Sequence, residues 1–356
     1  MERSVIAVCL AFCSVTGRAE PVIIEGGPRL SYEDGRGSQQ MAPLWSALQA
    51  MGCPVSYEEL MVASGNAFQF GWLPGAYDYA AIDLTPQDHF RTATEAIGAR
   101  IEWRSHTYDA AAYATISASL DEGRPCLTWR GWTLGARVIL GHDPDTWELY
   151  MRDFAKATPE YDTMEFSVPT APPPLKRPPQ EVLLLWCDPG APLPELDLPL
   201  ILERAVMYAD WPLDNKLCGQ HLFGLAAYDA WAETLRAGPD AAGTPTDVQI
   251  TLYAVRTLVD SRQAAARFFQ DYAAVHEAFP VAAEHYAAEV NRLRAVYTAF
   301  ERGAPGDWMA MVKAMEAALE DPAGREEMAA LIEAVKAEEV QAVDALREAL
   351  ADLGAP

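Results

Sequence analysis

The sequence predicts an α+β protein in two parts, a sheet-bearing first half and an all-α second half. Three observations carry this. Short runs with strand alternation or continuous apolar character all lie before residue 187. From Leu200 onward the apolar period is that of helices. Between the two, proline clusters at 172–179 and 189–199 fit neither a sheet interior nor a helix. The expected division is an extension or signal peptide over 1–21, a first domain over 22–198 and a helical domain over 199–356.

The first helix falls in Gln40 to Met51, where Leu44, Leu48 and Met51 share one stripe and Gly52 can take the left-handed conformation that ends it. Ser56, with Glu59 three residues on, reads as a capping box for a second helix through Val62, stopped at Ser64-Gly65. Gln87 to Ile97 is a third helix, after which Ile101, Trp103 and Ser105 alternate as an edge or half-buried strand does. Ala110 to Leu120 returns to helix. Pro125 to Trp129, Ala136 to Leu140 and Trp147 to Met151 follow as strands close enough in sequence to pair antiparallel. Thr158 to Pro179 reads as an extended connection, and Glu181 to Trp186 as the last strand. Helices are then expected near Gly219 to Arg236, Thr246 to Ala278, Val281 to Arg302, Asp307 to Leu319 and Glu326 to Leu353. In the last of these, Leu331, Val335, Val343, Leu346 and Leu350 make an apolar face for packing on one side, or for a coiled-coil contact.

Composition excludes several classes. With 27 Lys and Arg against 51 Asp and Glu, the formal charge of −24 repels phosphate backbones and anionic bilayers, so neither nucleic acid nor membrane is expected as a partner. Cys9, Cys13, Cys53, Cys126, Cys187 and Cys218 form no CxxC pair, which predicts reduced, buried thiols rather than a zinc knuckle or a disulfide framework. No HExxH, phosphate-binding glycine loop or paired His/Asp spacing is present, so no metal or cofactor is expected. Arg3, the apolar run Val5 to Val15 and Gly17-Arg18-Ala19 read as a secretory signal, as an N-terminal strand or as residues before the true start. The expected location is cytoplasmic, or secreted or periplasmic if Met1 to Ala19 is a signal peptide.

Three stretches carry a family resemblance: YEELMVASGNAFQF over Tyr57 to Phe70, DEGRP over Asp121 to Pro125, and GQHLFGLAAYDAWAETL over Gly219 to Leu235. Residues 22 to about 187 resemble the N-terminal domain family of butirosin biosynthesis protein H, within the papain-fold group that includes bacteriocin leader peptidases. The third stretch is similar to a helix in uncharacterised relatives that carry the same N-terminal domain. The resemblance implies a papain-like cysteine-peptidase-type domain with an antiparallel sheet, followed by the all-α domain.

Enzymes of that group place a cysteine at the start of the first long helix, where the helix dipole lowers a thiol pKa. Here Ser38, Gln39 or Gln40 takes that place, and Gly135 or Ala136 stands where the partner histidine belongs. His142 lies further along, in a Gly-His-Asp-Pro turn, while Asp153 matches the family's acidic position. A serine without a positioned imidazole is a weak nucleophile. Cys218, three residues from His221 at an expected helix start, is the alternative thiol. The catalytic candidates are therefore Ser38, His142, Asp153 and Cys218, each with an ordinary structural role beside it: helix cap, turn former, fold-holding acceptor and buried thiol. Gln39, Asn66, Phe68, Trp72 and Trp132 are candidate ligand contacts, the rings as walls for an apolar or amide-bearing ligand or simply as core.

The first functional reading is a pseudoenzyme of specialised metabolism whose degenerate cleft binds a small molecule or peptide. The second, implied by the resemblance, is an acyltransferase or amide-bond enzyme working with an acyl carrier protein. The third is a scaffold whose helical half pairs with itself as a homodimer or with another subunit.

Overall fold

In the computed structural model the first half is built on one antiparallel sheet and the second half is helical. The structure describes residues 20–31, 35–73, 86–106, 109–129, 136–152, 154, 161–165, 180–188, 190–211, 222–238, 248–300 and 308–354. In chain order the elements are β1 (Val22–Ile23), α1 (Met41–Ala50), α2 (Tyr57–Ala63), β2 (Gly71–Trp72), α3 (Pro86–Ala96), β3 (Arg100–His106), α4 (Asp109–Asp121), β4 (Cys126–Trp129), β5 (Ala136–Asp143), β6 (Glu148–Arg152), β7 (Asp162–Glu165) and β8 (Gln180–Trp186). They continue with α5 (Leu198–Ala209), β9 (Leu222–Phe223), α6 (Leu225–Ala237), α7 (Val248–Asp271), α8 (Ala278–Phe300), α9 (Trp308–Glu320) and α10 (Pro322–Leu353).

The sheet runs β3-β8-β4-β5-β6-β7, with β1 added against β5, and β2 pairs β9 in a separate ribbon. Every pairing is antiparallel. The β3 strand takes the edge, as its alternation suggested. By contrast, β8 lies in the interior between β3 and β4, buried on both faces: Leu183 and Leu185 join the main core while Val182 and Leu184 face the α4 side. A short strand, β7, falls within the stretch expected to be wholly an extended connection; prolines cluster after it, not in it. The β5–β6 register shifts between Ile139 and Gly141. A Cβ at position 141 would run into the Val22 carbonyl, so glycine lets β1 lie down on β5.

The capping box at α2 forms: the Ser56 hydroxyl accepts from the Glu59 amide and the Glu59 carboxylate accepts from the Ser56 amide. α8 begins at Ala278, ahead of the expected Val281, because Pro280 sits in its first turn, where a missing N–H breaks no helical bond. α10 starts at the Asp321 cap and buries the expected apolar stripe, with Val335, Val343 and Leu346 in it, against α8, α6 and α5.

The boundary near residue 198 divides sheet from helices in sequence but not in packing. One continuous core joins Leu44, Leu48 and Leu60 of the first half to Phe268, Phe269, Tyr286 and Leu346 of the second. A second core gathers α6, α7, α9 and α10 around Phe70 and Trp72. The cysteine expectation is corrected: Cys53 and Cys187 form a disulfide tying the segment after α1 to the end of β8. Spacing gave no sign of it, because the partners stand 134 residues apart and meet only through the fold. Cys126 is a free, buried thiol that burial pushes up to about 12. Among the described residues no helix is long and apolar enough to cross a membrane.

Candidate functional site

Ser38, Gln39 and Gln40 form the tip of α1. Ahead of the helix, the Ser38 hydroxyl donates to Asn66 Oδ1 at 3.1 Å and accepts from the Met41 amide at 3.1 Å and, more distantly, the Gln40 amide at 3.4 Å. It thus caps the first turn and satisfies donors that a helix start leaves free. Across from it lies the head of β5: the Ala136 amide donates to the Gln39 carbonyl at 2.8 Å. Positions 39 and 136, which fall among those expected from the resemblance for thiol (38 to 40) and imidazole (135 or 136), are therefore adjacent. They carry an amide side chain and a methyl group.

The turn that presents Asn66 is held from both sides. Gly65 has φ +80°, and a Cβ there would strike the Tyr208 ring. Behind the turn Arg262 donates to the Ala67 carbonyl at 2.7 Å, and Arg204 to the Ala63 carbonyl at 2.7 Å. His89 sits beside it, buried, with Nδ1 2.9 Å from the Ser64 carbonyl and Nε2 2.6 Å from Gln69 Oε1. Its place in α3 singled it out in no motif.

The residue that sequence reasoning missed most completely is Asp260. It comes from the middle of α7, yet its Oδ2 accepts the Tyr57 hydroxyl at 2.5 Å, and the Tyr57 oxygen in turn accepts the Ser38 amide at 3.2 Å. Burial raises the Asp260 carboxyl to about 6, against the stabilising pull of Tyr57 and of the Gly37 and Ser38 amides that face it. Burial, with Asp260 beside it, holds the Tyr57 hydroxyl well above its ordinary range. No local sequence signal marks Asp260, which reads as one charge on an otherwise ordinary helix.

Gln40 is 0% exposed, and neither its Oε1 nor its Nε2 has a hydrogen-bond partner among the described residues. A carboxamide sealed from water with all its capacity unused is costly unless something else meets it.

The other expected site residues disperse. Ser38 and His142 do not meet: His142 is at the opposite end of β5 from Ala136, on the order of 20 Å away along the strand. There its Nε2 lies 2.9 Å from Asp121 Oδ1 and its Nδ1 3.1 Å from the Tyr113 hydroxyl, which pins α4 to the β5–β6 hairpin. Tyr113 stacks on Trp147, a residue with φ of 61° at that hairpin's turn. Phe68 and Trp72 are core residues. Phe68 packs against Phe269 and Tyr286, while Trp72 stacks on Trp231 and donates its indole N–H to Thr234. They form no wall of a cleft because α6, α7 and α8 cover them. Asp153, Trp132 and Cys218 lie outside the described residues, as does Met1 to Ala19.

The helical half has a hollow of its own, about 500 Å³, lined by Ala295, Val296, Ala318, Met328 and Leu331 between α8, α9 and α10. Among the described residues no group of three or more His, Cys, Asp or Glu is arranged to hold a metal ion.

No protein-family model matches this chain, and no curated protein matches it. Its class rests on its own architecture, an α+β chain with an antiparallel sheet and a helical C-terminal region.

Proposed function

We propose that the chain is a papain-like pseudoenzyme of specialised metabolism, a binding protein that holds a small molecule at the tip of α1. The observation that carries this reading is the state of Ser38, whose hydroxyl is spent on Asn66 and the first helical amides. Among the described residues no imidazole bonds to it. A hydroxyl so engaged, with no base to take its proton, is unsuited to acyl transfer. What favours binding is the unpartnered Gln40 carboxamide, which offers both donors and an acceptor in a dry site. Ser38, Gln39 and Asn66 are each 7% exposed, which suits an enclosed small molecule better than an extended peptide.

The test has two arms. Fluorophosphonate and iodoacetamide probes should label no residue of the α1 tip. A screen of amide-bearing small molecules by thermal shift should find ligands whose effect disappears in Gln40→Ala. Labelling of Ser38 that Ser38→Ala abolishes would restore the acyltransferase reading. Binding that survives Gln40→Ala would point to the hollow between α8, α9 and α10 instead.

The disulfide favours one of the two locations. Such bonds persist in oxidising compartments, so Cys53–Cys187 supports a secreted or periplasmic protein over a cytoplasmic one.

A further inference from the structure

Four polar side chains from four helices meet in the interior of the helical half. Arg262 of α7 places Nε 2.6 Å from Glu339 Oε2 of α10 and 3.6 Å from Glu289 Oε1 of α8. Its Nη2 donates to the hydroxyl of Tyr228 of α6 at 3.2 Å. That hydroxyl lies 2.9 Å from Glu289 Oε1 and 3.4 Å from Glu339 Oε2. None of the four is more than 3% exposed.

Two carboxylates against one guanidinium would leave an uncompensated negative charge sealed from water, which protein interiors avoid by neutralising a group. The single Tyr228 proton cannot serve both carboxyl oxygens that face it, so another is needed to bridge two acceptors. Among the described residues Glu289 Oε2 and the Tyr286 hydroxyl are buried without hydrogen-bond partners, and a bare carboxylate oxygen is a far costlier orphan than a protonated one.

We propose that Glu289 carries a proton at neutral pH, and that its loss to solvent is a switch loosening the grip of the helical half on the 64–68 turn. The link is Arg262, whose Nη1 reaches out of the cluster to the Ala67 carbonyl at 2.7 Å. With both carboxyls ionised the guanidinium is drawn wholly between them, and Ala67, next to Asn66, loses its donor. The groups facing the pair are Tyr228 from α6, Arg262 from α7 and Tyr286 from α8; Asp260, on α7, is turned to Tyr57 instead. Burial first, and then the Glu339 charge, hold Glu289 well above the usual carboxyl range, while Arg262 and Tyr228 oppose them. Because the folded state binds this proton more tightly than the unfolded chain does, the stability it contributes is complete below the ordinary glutamate range. That stability is lost as pH rises through the folded value. The proton site stands whether or not the α1 tip binds a ligand.

Infrared spectra of the full chain at neutral pH should show the carbonyl stretch of a protonated carboxyl, and Glu289→Gln should remove it. The melting temperature of the wild type should fall as pH rises from the ordinary glutamate range through the folded value. Glu289→Gln, which mimics the protonated form and cannot ionise on unfolding, should match the wild type in acid, melt higher than it from neutral pH upward, and flatten that fall. Glu339→Gln removes the counter-ion of Arg262 and should lower the melting temperature already at neutral pH. Protection of the Phe68 amide, its exchange measured relative to the intrinsic base-catalysed rate, should fall with alkaline pH in the wild type and not in Glu289→Gln. Absence of the carboxyl band in the wild type, its survival in Glu289→Gln, or a neutral-pH loss in Glu289→Gln as large as in Glu339→Gln would each overturn the proposal. If Glu339→Gln does not fold, the wild type and Glu289→Gln decide the matter alone.

Discussion

At the scale of single residues, Asp260 shows how a group with no motif around it becomes central. A carboxylate on α7 is unremarkable until the fold lays it against Tyr57, 203 positions earlier, and seals both from water. The rise of its pKa from 3.8 to about 6 has a thermodynamic sign. A carboxyl whose folded pKa lies above the unfolded value contributes stability that is complete below 3.8 and lost as pH climbs through about 6. The interval is worth about 3 kcal/mol. Asp260→Asn, neutral at every pH, should gain about that much on the wild type between acid and neutral conditions, read by urea unfolding at a series of pH values. Parallel pH profiles for the two proteins would refute the assignment. Of the residues at the α1 tip, Ser38, Gln39 and Asn66 were legible, because a helix start and a Ser-Gly-Asn turn are local patterns. Asp260 and His89 were not, since their roles depend on partners that no neighbouring residue announces.

At the scale of elements, short-range chemistry decides where helices begin. The Ser56–Glu59 box fastens the α2 start that brings Tyr57 under Ser38. Ser56→Ala should cost about 1 kcal/mol, seen as a lower melting temperature. An unchanged melting temperature would mean that packing alone holds the turn. The disulfide is an element-scale tie of another kind, joining the C-terminal side of α1 to the end of a central strand. Closing so long a loop restricts the unfolded chain, so Cys187→Ser should lower stability by about 2–5 kcal/mol. Adding a thiol reductant to the wild type should reproduce the loss, and a wild type indifferent to reductant would argue that the bond contributes nothing.

Across the whole molecule, the helical half forms one wall of the first half's core. Phe268, Phe269, Tyr286 and Leu346 pack with α1 and α2, and Arg262 and Asp260 reach past them to Ala67 and Tyr57. A chain truncated after residue 198 would expose that apolar face and leave the Ala67 carbonyl without its donor. It should aggregate, or bind a hydrophobic dye, where the full chain does neither. Recovery of a soluble monomer with native circular dichroism would show the halves to be independent.

Local periods and caps were enough to determine, from sequence alone, that this protein is a sheet-bearing half followed by helices, and to fix most helix starts within a turn. Alternation at Ile101, Trp103 and Ser105, the cap at Ser56 and the prolines that delimit the halves act within a few residues of themselves, so they can be read without the fold. Only the tertiary structure decided that β8 inserts between β3 and β4, that Cys53 finds Cys187, and that α7 delivers Asp260 and Arg262 to the first half. Those pairings join residues far apart in sequence, the disulfide partners by 134 positions and Asp260 and Tyr57 by 203. Nothing in the local period of a strand or helix names a distant partner; burial selects it once the chain has collapsed.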